Sequence, residues 1–354
     1  MQFVSFPRAV RYFAAFAVFA ALALLGPAAA AARRPSTAGH VRELARALDR
    51  VQIAAPVSYR GLSIYPVLLE GSDQLPGRWL TLDDAVAAGK LEVREKGASG
   101  TVPVVVVRNR TRDEHVFIMA GEVLTGGKQT RTIRHDVVVA PGQTIELKVF
   151  CVEARRWEGG KEFSAGKLLV PPSIQQSLRS GVDQREIWDE VARSNQALGA
   201  ENPTGSLERA MRSPEVEPRL AEVRRRIAPE VPREAAGFIF VVRGRAVGAE
   251  LFGRADLARK LLPKLIDAYA VDFIILGRDE PSGRRPDTDR AAIGFYERIC
   301  RAGSERAATP GAGAGIRTRA SGILGDGVGL GSNLVHYGAQ PETRIIYPRS
   351  EGGR

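Results

Sequence analysis

Two glutamates, Glu122 and Glu153, stand where a carboxylate is costly. Glu122 extends the alternation Val116, Ile118, Ala120, and Glu153 extends Val149, Cys151, so regular strands would turn both toward an apolar face. An unpaired charge there is expensive. The chain between and after them supplies Lys128, Gln129, Arg131, Arg155, Arg156 and Trp157, and an arginine fork can hold a carboxylate through two parallel hydrogen bonds. Such a set either closes on itself as a structural network that pins the sheet ends, or it leaves a polar pocket with an aromatic wall. That pocket would suit a sugar, a nucleotide-like ligand or a carboxylate. The candidate ligand-binding residues are Glu122, Gln129, Arg131, Glu153, Arg156 and Trp157. A catalytic alternative makes Glu122 and Glu153 the acid/base pair of a glycosidic or N-glycosidic hydrolase, which needs carboxyls roughly 5–9.5 Å apart, one with a raised pKa.

Other chemistries fail at the motif level. Gly121 to Lys128 has the outline of a phosphate-binding loop, but Glu122 stands where that loop needs glycine and Gln129 where it needs Ser or Thr. Gly325 to Gly331 alternates glycines, yet Leu330 replaces the third glycine of a dinucleotide fingerprint. There is no G-x-S-x-G elbow, H-E-x-x-H or C-x-x-C. Histidines occur only at 40, 115, 135 and 336, which does not build a His-based metal site; no metal and no cofactor are expected. Cys151 shares a strand face with Ile145, Leu147 and Val149 and reads as a small core residue, and Cys300 ends an amphipathic helix. A disulfide between them, worth roughly 2–5 kcal/mol, stays open at this level.

The elements that must position these residues can be read from periodicity. Val41, Leu44, Ala45 and Leu48 recur at helical spacing, and strand signals run from Val57 to Leu69. Thr81 and Asp84 form a capping box for a helix ending near Gly89. Val102 to Val107 and Val116 to Ala120 flank the turn Asn109 to Glu114 as a hairpin; Thr132 to Val139 and Thr144 to Val152 are further strands. The stretch 183–228 is helical, with Asp183 and Glu186 as a capping pair and Leu220, Val223 and Ile227 as an apolar row. Strands return at Gly237 to Val242 and Val247 to Leu251, then a helix from about Leu257 to Tyr269. A charged loop, Arg278 to Arg290, precedes a helix carrying Ile293, Phe295, Tyr296 and Ile299. A Gly/Ala-rich segment leads to a terminal β section: Ile316 to Leu324, Leu334 to Tyr337 and Thr343 to Tyr347. Strands and helices cluster without strict βαβ alternation, which predicts an α+β fold of mainly antiparallel, sandwich-like β-sheets with packed helices.

Composition sets the frame. The 354 residues are 44% apolar and 26% charged, ordinary globular values that argue against a disordered chain or a multi-span membrane protein. The net charge of +11 rests on 43 Arg and 8 Lys scattered among acids, with aromatics at 6%; nucleic acid is not the expected partner. Residues 1–32 have the order of a secretory signal: Arg8 and Arg11, the apolar run Tyr12 to Leu25, the break Gly26-Pro27, and small residues Ala28-Ala29-Ala30 before a cut near Ala30 or Ala32. The alternative is an uncleaved N-terminal anchor. Once the leader is removed, no membrane association is expected, and the product would be periplasmic or secreted. The layout is a signal peptide 1–32, a junction and helix 33–49, a single domain 50–348 (β-rich 50–170, helical 183–228, α+β 236–348) and a tail 349–354. Oligomeric state is open.

Several of these residues also carry a family likeness. Gly121-Glu122, Gly127-Lys128-Gln129-Thr130-Arg131, Cys151-Val152-Glu153, Arg156-Trp157 and Phe163 resemble the ARPP family, the ADP-ribosylglycohydrolase and rhodanese-phosphatase-associated protein domain. Val247 to Phe252, Leu262-Pro263-Lys264-Leu265, Tyr269-Ala270 and Leu334-Val335-His336 extend the likeness to about residues 50–348, with Thr130 where the family often has Asn. The resemblance implies only a link to ADP-ribose metabolism, by association with neighbouring genes and domains, and carries no established activity. The expected function is that of an exported soluble domain binding a small polar, sugar- or nucleotide-like ligand. The alternatives are the hydrolase above and a structural or interaction module of the cell envelope.

Overall fold

The computed structural model describes residues 35–71, 75–97, 103–276 and 287–343. The leader 1–32, most of the charged loop before residue 287, the strand expected at Thr343 to Tyr347 beyond its first residue and the tail 349–354 lie outside them. Where apolar and polar residues alternate, the chain is a strand with one wet face. In Thr144–Cys151, Ile145, Leu147, Val149 and Cys151 are buried while Glu146 and Lys148 are exposed. The fold is α+β, with antiparallel pairing throughout the described strands except between Arg78–Thr81 and Glu114–Ile118.

Three sheets result. One has six strands in the order Phe163–Leu169, Glu122–Gly126, Arg131–Ile133, Thr144–Cys151, Val104–Asn109, Leu91–Glu95. A larger one runs Val51–Ile53, Leu62–Leu69, Gly237–Val242, Arg245–Phe252, Asn333–Pro341, Ile323–Leu330, Ala314–Ala320, Glu305–Ala307, with Val57–Tyr59 also on Leu62–Leu69. The third joins Val137–Val139, Glu114–Ile118 and Arg78–Thr81.

The hairpin expected across Asn109 to Glu114 does not form. Val104–Asn109 pairs with Leu91–Glu95 and Thr144–Cys151, while Glu114–Ile118 crosses to the third sheet. The Asn109 side chain explains the divergence: its amide donates to the Glu114 carbonyl (2.8 Å) and the Val139 carbonyl (3.0 Å), and its oxygen accepts from the Thr111 N–H (3.0 Å). A local side-chain bond thus replaces the ladder. The expected single strand Thr132 to Val139 likewise breaks, into Arg131–Ile133 and Val137–Val139 in different sheets. At the break, Asp136 accepts the Ala120 N–H at 2.8 Å.

Helices follow their caps. Thr81 and Asp84 make the reciprocal capping box of Leu82–Ala87, and Asp183 accepts the Glu186 N–H at 3.0 Å to start Gln184–Leu198. Glu217–Ile227 buries Leu220, Val223 and Ile227. The helix expected to end at Tyr269 runs from Ala255 to Leu276, through Pro263, because Ala270, Val271, Ile274 and Ile275 continue its buried face. One core cluster gathers around this helix. A second packs Phe295, Ile299 and Cys300 of Thr288–Ala302 against Tyr65, Ile239 and Tyr337 of the large sheet, and a third fills the six-stranded sheet around Val105, Leu124 and Leu147. Cys151 and Cys300 are both buried free thiols. Gly325, Gly327 and Gly329 lie within the strand Ile323–Leu330, where a Cβ at Gly325 would meet the Tyr337 hydroxyl. Their role is packing.

Candidate functional site

Five of the six candidate residues meet at one end of the six-stranded sheet. Cys151 lies opposite Arg131, and Glu153 follows on a bridge to Ser206. The Glu153 carboxylate accepts the Thr130 N–H (3.1 Å) and hydroxyl (2.9 Å) and two Arg156 donors, Nε at 2.9 Å and Nη2 at 2.8 Å. Burial pushes this carboxyl up, but Arg156 and the Thr130 donors outweigh it and hold it below the usual range. Gln129 donates to the Glu153 carbonyl at 3.0 Å and accepts from Arg131 at 2.8 Å. The fully buried Arg131 also donates to the Cys151 sulfur and approaches Glu95 at 3.7 Å. Burial raises the Cys151 thiol to about 11 despite Arg131, which favours the protonated thiol at neutral pH. Trp157 is 46% exposed and covers the cluster, its ring centre 5.3 Å from Lys128 Nζ and 5.7 Å from Arg131 Cζ. Gly127 (φ +54°) leaves room for the Phe163 ring at the edge of the same network. Most of these charges face one another, while Arg131 Nε and Nη2 and Glu95 Oε2 make no hydrogen bond among the described residues.

Glu122 is not part of this group. Leu124, Arg131 and Cys151 lie in one row across three strands, with Glu122 two residues to one side and Glu153 two to the other. Their Cα atoms are therefore on the order of 15 Å apart, at ~3.3 Å per residue and ~4.8 Å per strand. Glu122 turns back to accept the Met119 N–H at 2.7 Å and pairs with Lys264 of the long helix. The two glutamates thus face different partners, which is not the shared flanking of one bond that a hydrolase needs.

Lys264 leads instead to an open cleft of about 590 Å³. Its wall is a polar stripe on Ala255–Leu276, with Lys260, Pro263, Lys264 and Asp267 at i, i+3, i+4 and i+7. Opposite stand Asp83, Lys167, Arg212 and Arg224. Lys264 Nζ also reaches Asp83 at 2.9 Å. Burial pulls the ammonium down, but Glu122 and Asp83 outweigh it and keep Lys264 charged, its pKa raised. Lys260 pairs with Asp84 at 2.9 Å, and Arg212 reaches Glu208 at 3.4 Å and the Gly166 carbonyl at 2.7 Å. Asp267 pairs with Arg224, yet burial raises its carboxyl to about 6. Lys167 sits on the irregular stretch between Ala165 and Leu169 with φ +54°, in the left-handed region that non-glycine residues avoid.

The model of one family, the ARG and Rhodanese-Phosphatase-superfamily-associated Protein domain, matches residues 50–339. The chain belongs to the ARPP family. Neither the curated proteins nor the solved structures include a significant match to it. The match begins at the first strand of the large sheet and ends in Asn333–Pro341, so both the Trp157 cluster and the cleft lie inside the ARPP domain.

The ARPP domain also holds a buried charged cluster that periodicity did not reveal. His336 Nδ1 lies 2.6 Å from Asp136 and Nε2 3.2 Å from Glu250. Glu250 further accepts the Tyr269 hydroxyl at 2.9 Å, with Arg179 at 3.9 Å. Burial lowers the imidazole pKa, but Asp136 and Glu250 outweigh it and raise it to about 9. The available signal was single polar residues in apolar runs, such as Glu250 within Arg245–Phe252. The cleft had a clearer one, the 260/263/264/267 stripe opposite Leu261 and Leu265.

Proposed function

We propose that this ARPP domain is an exported, soluble binding domain for a small polar ligand and that the ligand occupies the cleft beside Lys264. The observation that carries the reading is the cleft itself: about 590 Å³, open, and walled by charged side chains from five segments of the chain. That volume lies within the range of small-molecule sites, roughly 300–1,000 Å³. The Trp157 cluster, by contrast, pairs Glu153 with Arg156 and Thr130 and serves in this reading to pin the sheet end. Of the six candidates, Glu122 contributes from behind the wall, by holding Lys264 in place. The order of basic, apolar and small residues in 1–32 supports export, and no helix among the described residues is long and apolar enough to cross a membrane.

A thermal-shift screen of the mature chain against sugars, nucleotides and ADP-ribose tests the reading. At least one compound raises the melting temperature, and Lys260→Trp, which fills the cleft from an exposed helix position, abolishes the shift. A shift that survives Lys260→Trp places the ligand elsewhere. For export, expression with the native leader should give a periplasmic product whose N-terminus lies between Ala29 and Arg34; full-length protein retained in the membrane fraction contradicts it.

A further inference from the structure

The hydrogen-bonding capacity left over in the cleft narrows the chemistry of what fits it. Three of its cations are answered from behind the wall: Lys264 by Glu122, Lys260 by Asp84 and Arg212 by Glu208. Arg224 is answered within the cleft by Asp267. Two buried carboxylate oxygens are not answered. Among the described residues, Asp83 Oδ1 and Asp267 Oδ1 have no hydrogen-bond partner, although Oδ2 of each is held by Lys264 or Arg224. A buried acceptor without a donor loses its hydration with nothing in return. At the rim, Lys167 makes no ion pair among the described residues and holds a strained backbone conformation.

We propose, building on the cleft as the binding site, that it takes a polyhydroxylated anion: the Asp83 and Asp267 carboxylates turn their unanswered Oδ1 atoms outward to accept hydroxyl groups, and one phosphate or carboxylate group meets Lys167. Hydroxyls suit the two oxygens better than an ammonium does, because Lys264 and Arg224 already stand against the same carboxylates and would repel a third cation. The anionic group belongs at Lys167 because the other cations have carboxylate partners. Sugar phosphates and sugar acids share this chemistry.

Calorimetric titration of the mature chain with glycerol 3-phosphate, ribose 5-phosphate, glucose 6-phosphate and gluconate separates the sources. At least one binds with one site per chain, and its dephosphorylated or uncharged counterpart and inorganic phosphate each bind at least about 10-fold more weakly. Lys167→Gly lowers affinity for the charged compound about 10-fold without lowering the melting temperature, and Asp267→Asn lowers it by a similar factor. Because Asp267→Asn also loosens Arg224, Asp83→Asn is the second variant. Inorganic phosphate binding as tightly as the sugar phosphate overturns the proposal, as does an amino acid such as glutamate binding better than all four. Unchanged affinity in Lys167→Gly overturns it too. A nucleotide that binds in a Lys260→Trp-sensitive manner while all four compounds fail overturns this inference and leaves the cleft reading standing; no Lys260→Trp-sensitive ligand of any kind overturns both.

Discussion

Lys167 holds φ at +54°, where a side chain costs about 1 kcal/mol that glycine does not. Lys167→Gly should therefore raise the stability of the unliganded chain by up to about 1 kcal/mol while it weakens binding, a pairing expected of strain kept for function. Urea denaturation and a ligand titration on the same variant read both effects. Glu153 behaves differently at this scale. Glu153→Gln keeps its shape but leaves Arg156 and the Thr130 donors facing a neutral group, at an expected cost of about 1–3 kcal/mol with cleft binding unchanged. Trp157→Ala should likewise spare binding; a lost thermal shift in that variant would return the site to the cluster under the tryptophan.

Among the elements, the short helix Leu82–Ala87 brings Asp83 to the cleft wall and Asp84 to Lys260, and it depends on its capping box. Thr81→Ala should cost about 1 kcal/mol, and a melting temperature unchanged within error would contradict the capping role. Elements set by local chemistry were legible in the sequence: the caps at Thr81 and Asp183, the alternation of Thr144–Cys151, the row Leu220, Val223, Ile227. Strand partnership was not. Whether Val104–Asn109 turns back on Glu114–Ile118 depends on where one amide, that of Asn109, finds its acceptors, and one of them belongs to Val139, thirty residues away. The cleft was half legible for the same reason. Its helical stripe shows at i, i+3, i+4 and i+7, but Lys167, Arg212 and Arg224 come from segments that no local pattern links to it.

At the scale of the whole molecule, the buried His336 ties three distant segments together through Asp136 and Glu250, with Tyr269 and Arg179 on the same carboxylate. Its folded pKa of about 9 lies above the ordinary 6.5. The folded state thus binds this proton more tightly than the unfolded chain does. The stabilisation is complete below pH 6.5, declines above it, and is lost as pH rises through 9. The shift amounts to about 3 kcal/mol by linkage. Denaturation curves at pH 6, 7.5 and 9.5 should show that decline, and His336→Gln should flatten it at the expense of stability at pH 6. The central claim concerns the cleft, and the most direct measurement is a crystal structure of the mature chain with the strongest compound from the thermal-shift screen. The predicted result is ligand density between Lys167 and Asp267, with Lys264 still paired to Glu122; density stacked on Trp157 over an empty cleft would contradict it.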